Sequence, residues 1–534
     1  MSFYSKFFTQ SDPSITPQSQ PIPGSAQVEN SAGGYTFTVD DWARLDRFLV
    51  LGSEGGTYYV GERKLTLDNA EAVRRCIAAD GPRVIRRVVE VSDAGRAPKN
   101  DPAIFALAMA AKLGDEATRK AAYRALPAVC RTGTHLMHFA EYAQAFGGWG
   151  RGMRRAVAGW FNAKPAKNLA YQLVKYQARD GWSTRDLLRL AHPRAASPAH
   201  DRLFHWAVKG ELPSAGDRDE ALALIEAFEA AKRATSAAEV AALITERGLP
   251  REAIPTQWLR EAAVWEALLP AMPMTALIRN LATMTRVGLL ATGGDAARAV
   301  ADRLGDEAAL RGARIHPIGV LSALVTYRAG KGARGAGVWS PVAAIVDALD
   351  GAFYRAFRSV EPCRKRVLLA LDVSGSMDCG VIAGVPGLTP RVGSAAMALV
   401  TAATEKAHGF VAFTTGLREL AISPRQRLDD VVREISALPF GGTDCSLPMV
   451  WALEARRPVN VFVVYTDSET WAGAIHPVQA LRKYRDRMGI AAKLVVVGMT
   501  ATRFTIADPD DAGMLDVVGF DAAAPAVMAD FARA

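Results

Sequence analysis

The strongest constraint on this chain is a change of periodicity near residue 361. Before it, up to about residue 355, apolar residues recur at three-to-four spacing in one segment after another, with Pro, Gly or Asn between them. After it, continuous apolar runs at 367–371, 410–413, 461–465 and 494–497 alternate with helical segments such as 393–408, 428–438 and 478–488. The two patterns bury their apolar residues in incompatible ways, so they require domains of different class. The first reads as an α-solenoid of helical pairs, with an all-helical globule as the rival geometry. The second reads as a doubly wound α/β domain with a sheet buried on both faces.

The divisions that follow are a flexible arm over residues 1–32, a helical domain over 33–360 and an α/β domain over 361–534. The arm is rich in Ser, Pro, Gln and Gly and has no period. A short amphipathic helix or turn is expected from Asp40 to Leu49. Thr57–Val60 and Lys64–Leu67 flank Gly61 and are expected to form a small hairpin. Helices are then expected over Asn69–Ala79, Asp101–Leu113, Glu116–Val129 and Thr132–Ala145.

The run Val367-Leu368-Leu369-Ala370-Leu371 ends in Asp372-Val373-Ser374-Gly375-Ser376. One carboxylate and two hydroxyls there occupy alternate positions on a loop leaving a buried strand. Thr443 follows Gly441-Gly442, and Asp467 ends the second buried run, 461–467. Loops leaving the carboxyl ends of such strands share one crevice. Asp372, Ser374, Ser376, Thr443 and Asp467 are therefore a candidate set of hard oxygen ligands for Mg²⁺, with Mn²⁺ or Ca²⁺ as other divalent candidates. This set resembles the metal-ion-dependent adhesion site of von Willebrand factor A domains. That resemblance implies direct ligation by Ser374 and Ser376, and direct or water-mediated ligation by the other three. Ser376 as an acyl-transfer nucleophile is the weaker reading, because only His408 is near in sequence and no nucleophile elbow is present.

Charge separates the two domains. Residues 361–534 hold 18 Lys and Arg against 19 Asp and Glu, so 1–360 hold the remaining 46 against 36, a net +10. Within 151–185 stand Arg151, Arg154, Arg155, Lys164, Lys167, Lys175, Arg179 and Arg185, with Asp180 the sole acid. Arg151, Arg154 and Arg155 share a helical face, while Met153, Val157 and Trp160 should point inward. Lys167, Tyr171, Lys175 and Arg179 would form a second stripe, with Leu169, Leu173 and Tyr176 buried beside it. Such stripes suit phosphate tracking, and irregular RNA fits better than duplex DNA because no helix-turn-helix or finger spacing is present. His135, His138 and Glu141 would share a helical face but lack the HExxH order, which favours packing over zinc. Gly330 to Gly337 lacks a GK[ST] ending and reads as a basic loop, not a nucleotide cradle.

Cys76, Cys130, Cys363, Cys379 and Cys445 form no CxxC pair, which favours a reducing compartment. No apolar run approaches 18 residues and the first thirty residues hold no signal-peptide core, so no membrane association is expected and the cytoplasm is.

Long stretches of both halves resemble one family. They include Arg131-Thr132-Gly133-Thr134-His135-Leu136, Gly148-Trp149-Gly150-Arg151-Gly152-Met153-Arg154-Arg155, Lys175-Tyr176-Gln177-Ala178-Arg179-Asp180-Gly181-Trp182-Ser183 and Gly441-Gly442-Thr443-Asp444-Cys445. Over about residues 36–534 the chain resembles the TROVE-domain proteins of the Ro 60 kDa autoantigen family, which bind Y RNA. The resemblance implies an all-α, HEAT-like helical-repeat ring around a positive hole, with the α/β von Willebrand factor A domain joining its ends. It implies Y RNA on the outer basic surface. It also implies that single-stranded 3′ ends of misfolded or precursor noncoding RNA, ribosomal RNA included, enter the hole. Carried over residue by residue, Arg151, Arg154, Arg155, Lys164, Lys175, Arg189 and His192 are the expected RNA contacts. Thr184 stands where vertebrate relatives often have His, and is left out of that set. Roles in RNA quality control and stress survival, exoribonuclease partners and a monomeric protein are implied in the same way. The expected mechanism is binding without bond chemistry. A Mg²⁺-dependent nuclease and an adhesion-like module for an acidic protein are the alternatives, separable by whether chelation abolishes activity.

Overall fold

Helix boundaries follow from capping side chains. Asp115 accepts a hydrogen bond from the Thr118 amide and starts the helix Glu116–Val129, just after Gly114 ends Asp101–Leu113. Thr132 does the same for Gly133–Ala145. The computed structural model describes residues 15–53, 61–212, 220–313, 315–332, 337–355, 361–382, 388–439, 441–520 and 523–533. The residues expected as the first strand of a small hairpin, 57–60, lie outside these, as do 333–336 of the glycine-rich loop.

The expected second hairpin strand, Lys64–Leu67, is a correction. It forms the first turns of the long helix Glu62–Asp93, whose stripe of Leu65, Ala72, Val73, Cys76 and Ile77 is buried. The β-like alternation of four residues yields to a helical stripe sustained over many turns. This helix kinks at Asp80 (φ −157°, ψ 82°), where Pro82 removes a donor and the Asp80 carboxylate re-caps the second half through the Arg83 amide.

Most helices pack on those one to three positions away in the chain. Glu62–Asp93 packs on Asp101–Leu113 and Glu116–Val129, Glu116–Val129 on Arg151–Asn162, and Arg151–Asn162 on Thr184–Ala191. Ala343–Arg355 closes the series against Asp295–Gly305 and Pro317–Arg328. Serial packing of this kind is helical-repeat architecture rather than a globule. The far end returns to the beginning, where His316 Nε2 meets the Arg96 carbonyl at 2.9 Å.

In the C-terminal domain the sheet runs Met514–Val517, Lys493–Gly498, Val461–Thr466, Val367–Asp372, His408–Phe413, Leu417–Leu420, parallel except for the last pair. Leu369, Leu371, Val463 and Val495 enter one apolar cluster; Leu368, Ala370, Phe462 and Val496 enter the other. Burial on both faces explains why these strands read as unbroken apolar runs. The domain grips both ends of the helical array. Arg47, on the first helix Asp41–Leu51, donates to the Thr502 and Phe504 carbonyls at 2.7 and 2.9 Å and pairs with Asp516. Near the other end, Arg328 pairs with Asp429 and Arg427 with Asp347.

The N-terminal expectation is also corrected. Residues 15–32 are not a loose arm. They lie along the α/β domain, with Thr16, Gln18 and Asn30 buried, and Val28–Glu29, Tyr35–Thr38 and Phe504–Thr505 form a small antiparallel sheet. Hydrogen bonds hold most of this segment, with Ile15 and Ile22 packed on the α/β core, so its polar composition gave no sign of docking.

Candidate functional site

Asp372 is the last residue of its strand, and its neighbour Leu371 pairs in register with Tyr465. Asp467 therefore emerges one residue beyond the adjacent strand, at the same sheet edge. Asp372 Oδ1 accepts the Ser374 amide at 2.9 Å, and Oδ2 accepts the Thr466 hydroxyl at 2.7 Å. Ser374 and Ser376 bring their hydroxyl oxygens to 3.1 Å, and Ser376 also reaches Asp467. The Thr443 carbonyl accepts the Trp471 and Ala472 amides at 3.0 Å each, which lashes the Thr443 loop to the loop after Asp467. All five side chains are buried.

The electrostatics suit a cation. Burial, and next the charge of Asp467, push the Asp372 carboxyl up to about 7. Burial raises Asp467 as well. Two carboxylates sealed together in low dielectric repel each other, and a hard divalent ion beside three hydroxyl oxygens reverses that penalty. Arg391, 1% exposed, donates to the Val373 and Ser374 carbonyls at 2.9 and 3.2 Å and so fixes the loop that follows Asp372. Sequence reading missed Arg391, which lies on a helix with no motif of its own.

The cationic surface is built on two packed helices and the turns beside them. Arg151, Arg154 and Arg155 are exposed, and none has an ion-pair partner among the described residues, while Met153, Val157 and Trp160 are buried as their spacing requires. Three guanidiniums crowd the first two turns of Arg151–Asn162, where the helix dipole disfavours cations, and Gly150 supplies no side-chain cap. A bound anion there would relieve this local conflict. Gly152 lets this helix close on its neighbour, since a Cβ there would lie 2.8 Å from the Tyr123 ring. Arg189 and His192 are exposed at the end of Thr184–Ala191, His192 as a left-handed cap at φ 45°. The following loop is tied back by Asn162, whose amide donates to the Arg194 carbonyl at 2.8 Å. Lys164 sits in that same turn with its ammonium 3.7 Å from the Trp160 ring centroid, and burial lowers its pKa. Arg124, on the neighbouring helix Glu116–Val129, is a further exposed cation; it fell outside the densest basic window.

Two sequence expectations change here. The stripe Lys167, Tyr171, Lys175, Arg179 is broken, because the helix ends at Lys175 and Arg179 joins a tight hairpin turned by Asp180 (φ 52°) and Gly181 (φ 78°). Lys175 is not a free cation. Its side chain is 12% exposed, donates to the Tyr171 hydroxyl at 3.1 Å and lies 3.9 Å from Glu252. Lys167 is exposed but paired with Glu220 at 2.7 Å.

His135, His138 and Glu141 do not converge. His138 lies between Asp101 and Asp180, and Glu141 accepts the Trp182 indole N–H at 2.8 Å. His135 is turned inward, and burial pushes its pKa down to about 4. The unfolded chain then binds the extra proton between about pH 6.5 and pH 4, so stability is full above 6.5 and falls as pH drops through that window. Denaturant melts at pH 7 and pH 5 should show this loss, about 2 kcal/mol at most, and His135→Gln should remove most of it.

Comparisons with known proteins agree with this layout. Residues 28–365 match the TROVE domain model and 366–532 the Ro60 vWA domain model. The chain is 48% identical over 509 residues to the RNA-binding protein RO60 of Deinococcus radiodurans, covering 95% of each. It is 38% identical over 583 residues to the RNA-binding protein RO60 of Caenorhabditis elegans, covering 95% of this chain and 90% of that one. The crystal structure of the Deinococcus radiodurans RO (RSR) protein superposes with a TM-score of 0.71, covering 92% of this chain and 99% of that one.

Proposed function

Because the chain belongs to the Ro60 family, with a TROVE domain followed by a Ro60 vWA domain, we propose that it binds noncoding RNA through the cationic helices of its first domain. The observation that carries this is the exposed cluster Arg151, Arg154 and Arg155 at the start of one helix, with no ion-pair partner among the described residues. Guanidinium forks take phosphate oxygens bidentately and release condensed counterions as they do so. Lys164, Arg189 and His192 extend the footprint. Y RNA is the proposed structured ligand, and single-stranded 3′ ends of misfolded or precursor RNA the proposed second class. Exoribonucleases that act on such ends, and roles in RNA quality control and stress survival, belong to the same proposal, as does a monomeric, cytoplasmic protein.

A structured RNA with a free 3′ tail should compete at least several-fold better than the same RNA with its tail paired. Competition gel shifts measure this. Equal competition by tailed and blunt forms would remove the single-strand part and leave a surface binder.

Asp372, Ser374, Ser376, Thr443 and Asp467 are the proposed holders of one divalent cation, Mg²⁺ by preference. When bound, it would supply a Lewis-acidic point for an oxygen ligand of a partner. The chain's own part is to bury two carboxylates and align three hydroxyls around that position. Asp372→Ala should abolish Mg²⁺ and Mn²⁺ binding in calorimetry. In wild type, affinity should weaken as pH falls through about 7, because protons then compete for Asp372. No RNA cleavage is expected with or without metal. Metal-dependent cleavage that vanishes in Asp372→Ala would replace this reading with a nuclease.

A further inference from the structure

The metal loops are held from outside by a segment far away in sequence. Residues 15–27 precede the TROVE match, which begins at 28. Gln18, 0% exposed, is the centre of the contact. Its backbone N–H donates to the Gly473 carbonyl at 2.9 Å, and its Nε2 donates to Asp444 Oδ1 and to the Ile475 carbonyl, each at 2.8 Å. Its Oε1 accepts the Thr470 hydroxyl, and that hydroxyl also lies 3.1 Å from the Thr443 carbonyl and accepts the Cys445 amide at 3.0 Å. Further along, Asn30 donates to the Thr470 carbonyl and the Ser31 amide to Glu469, both at 2.8 Å.

The bonds to Asp444, Glu469 and Thr470 land beside proposed ligands, and those to Gly473 and Ile475 hold the chain that follows. Asp444 follows Thr443, and Glu469 and Thr470 follow Asp467 closely. We infer that Gln18, with the N-terminal segment that carries it, is a positioning residue of the metal centre, holding the Thr443 and Asp467 loops in one relative arrangement. The inference rests on the metal reading above. Chemistry favours glutamine at this point, since one amide must donate to a buried carboxylate and accept from a hydroxyl. A glutamate could not donate, and would set a second carboxylate against Asp444. The fit is close on both sides. A Cβ at Gly34 would collide with the Thr470 carbonyl, and one at Gly473 with Gln18 and Asp444.

Positioning by this segment makes its docking and metal binding thermodynamically linked, so each must strengthen the other. The test uses the full-length protein with Mn²⁺ as the probe. Gln18→Ala and Gly34→Ala should each weaken Mn²⁺ binding in calorimetry by roughly 10-fold, the scale of one lost hydrogen bond to a charged group. Binding of a structured RNA should stay within about two-fold, because the cationic helices are untouched. Reciprocally, Mn²⁺ should slow limited proteolysis within residues 15–34 in wild type but not in Asp372→Ala. A purely structural staple would not produce that metal-dependent protection. Wild-type Mn²⁺ affinity in either variant once its segment is protease-sensitive overturns the inference, as does proteolysis of wild type that Mn²⁺ leaves unchanged. If Gln18→Ala does not fold, Gly34→Ala and the wild-type protection experiment decide. A wild type that binds no Mn²⁺ overturns the metal reading and this inference together; a wild type that binds beside unaffected variants overturns this one alone.

Discussion

Replacing Arg151, Arg154 and Arg155 together by Gln should weaken binding of a structured RNA roughly 100-fold at about 0.15 M salt, and should flatten the salt dependence by about 2 to 3 in log–log slope. Both figures follow from losing three phosphate contacts and the counterions they release. Fold stability should hold or rise slightly, because the three side chains are exposed and oppose their own helix dipole. Filter binding across a salt series measures both quantities on the same protein. Unchanged affinity in a folded variant would move the RNA surface elsewhere. Unchanged slope with reduced affinity would mean the arginines act by shape rather than by charge.

Arg47→Met should be the most destabilising single change, at about 3 to 5 kcal/mol, because it breaks a buried ion pair and leaves its partner behind. Arg47 is 2% exposed and joins the first helix to Asp516 and to two carbonyls of the α/β domain. Its removal strands those carbonyls as well as the carboxylate. Asp516 keeps a hydrogen bond from the Thr505 hydroxyl at 2.6 Å, which softens the loss without cancelling it. Arg47→Met with Asp516→Asn should recover part of the deficit, since the uncompensated charge is then gone. Urea melts of the two single variants and the double give the coupling energy. A cost below about 1 kcal/mol for Arg47→Met would show that this contact does not hold the domains together.

Much of this was legible in residue order because the responsible forces are local or periodic. Pro102 and Gly114 bracket Asp101–Leu113 and Asp115 caps Glu116–Val129, so these boundaries were readable in the sequence. The strand ending at Asp372 is buried on both faces, which leaves an unbroken apolar run. What escaped is set by partners distant in the chain. The segment 15–32 is held by backbone and amide bonds to residues beyond 440, and such bonds leave no periodic trace. Lys175 counts as one charge in any composition, yet Tyr171 and Glu252 enclose it. Arg179 fits a helical stripe by spacing alone, but the helix ends at Lys175 and Arg179 lies on a hairpin strand turned by Asp180-Gly181.

RNA should be held by the charged helices independently of the metal centre. The most direct measurement is binding of one 3′-tailed structured RNA to wild type and to Asp372→Ala, each with Mg²⁺ and with chelator. All four affinities should agree within a few-fold, while Arg151, Arg154 and Arg155 replaced by Gln falls far below them under both conditions. Loss of RNA binding on chelation, or in Asp372→Ala with its fold intact, would contradict the account and place the metal centre in the RNA contact.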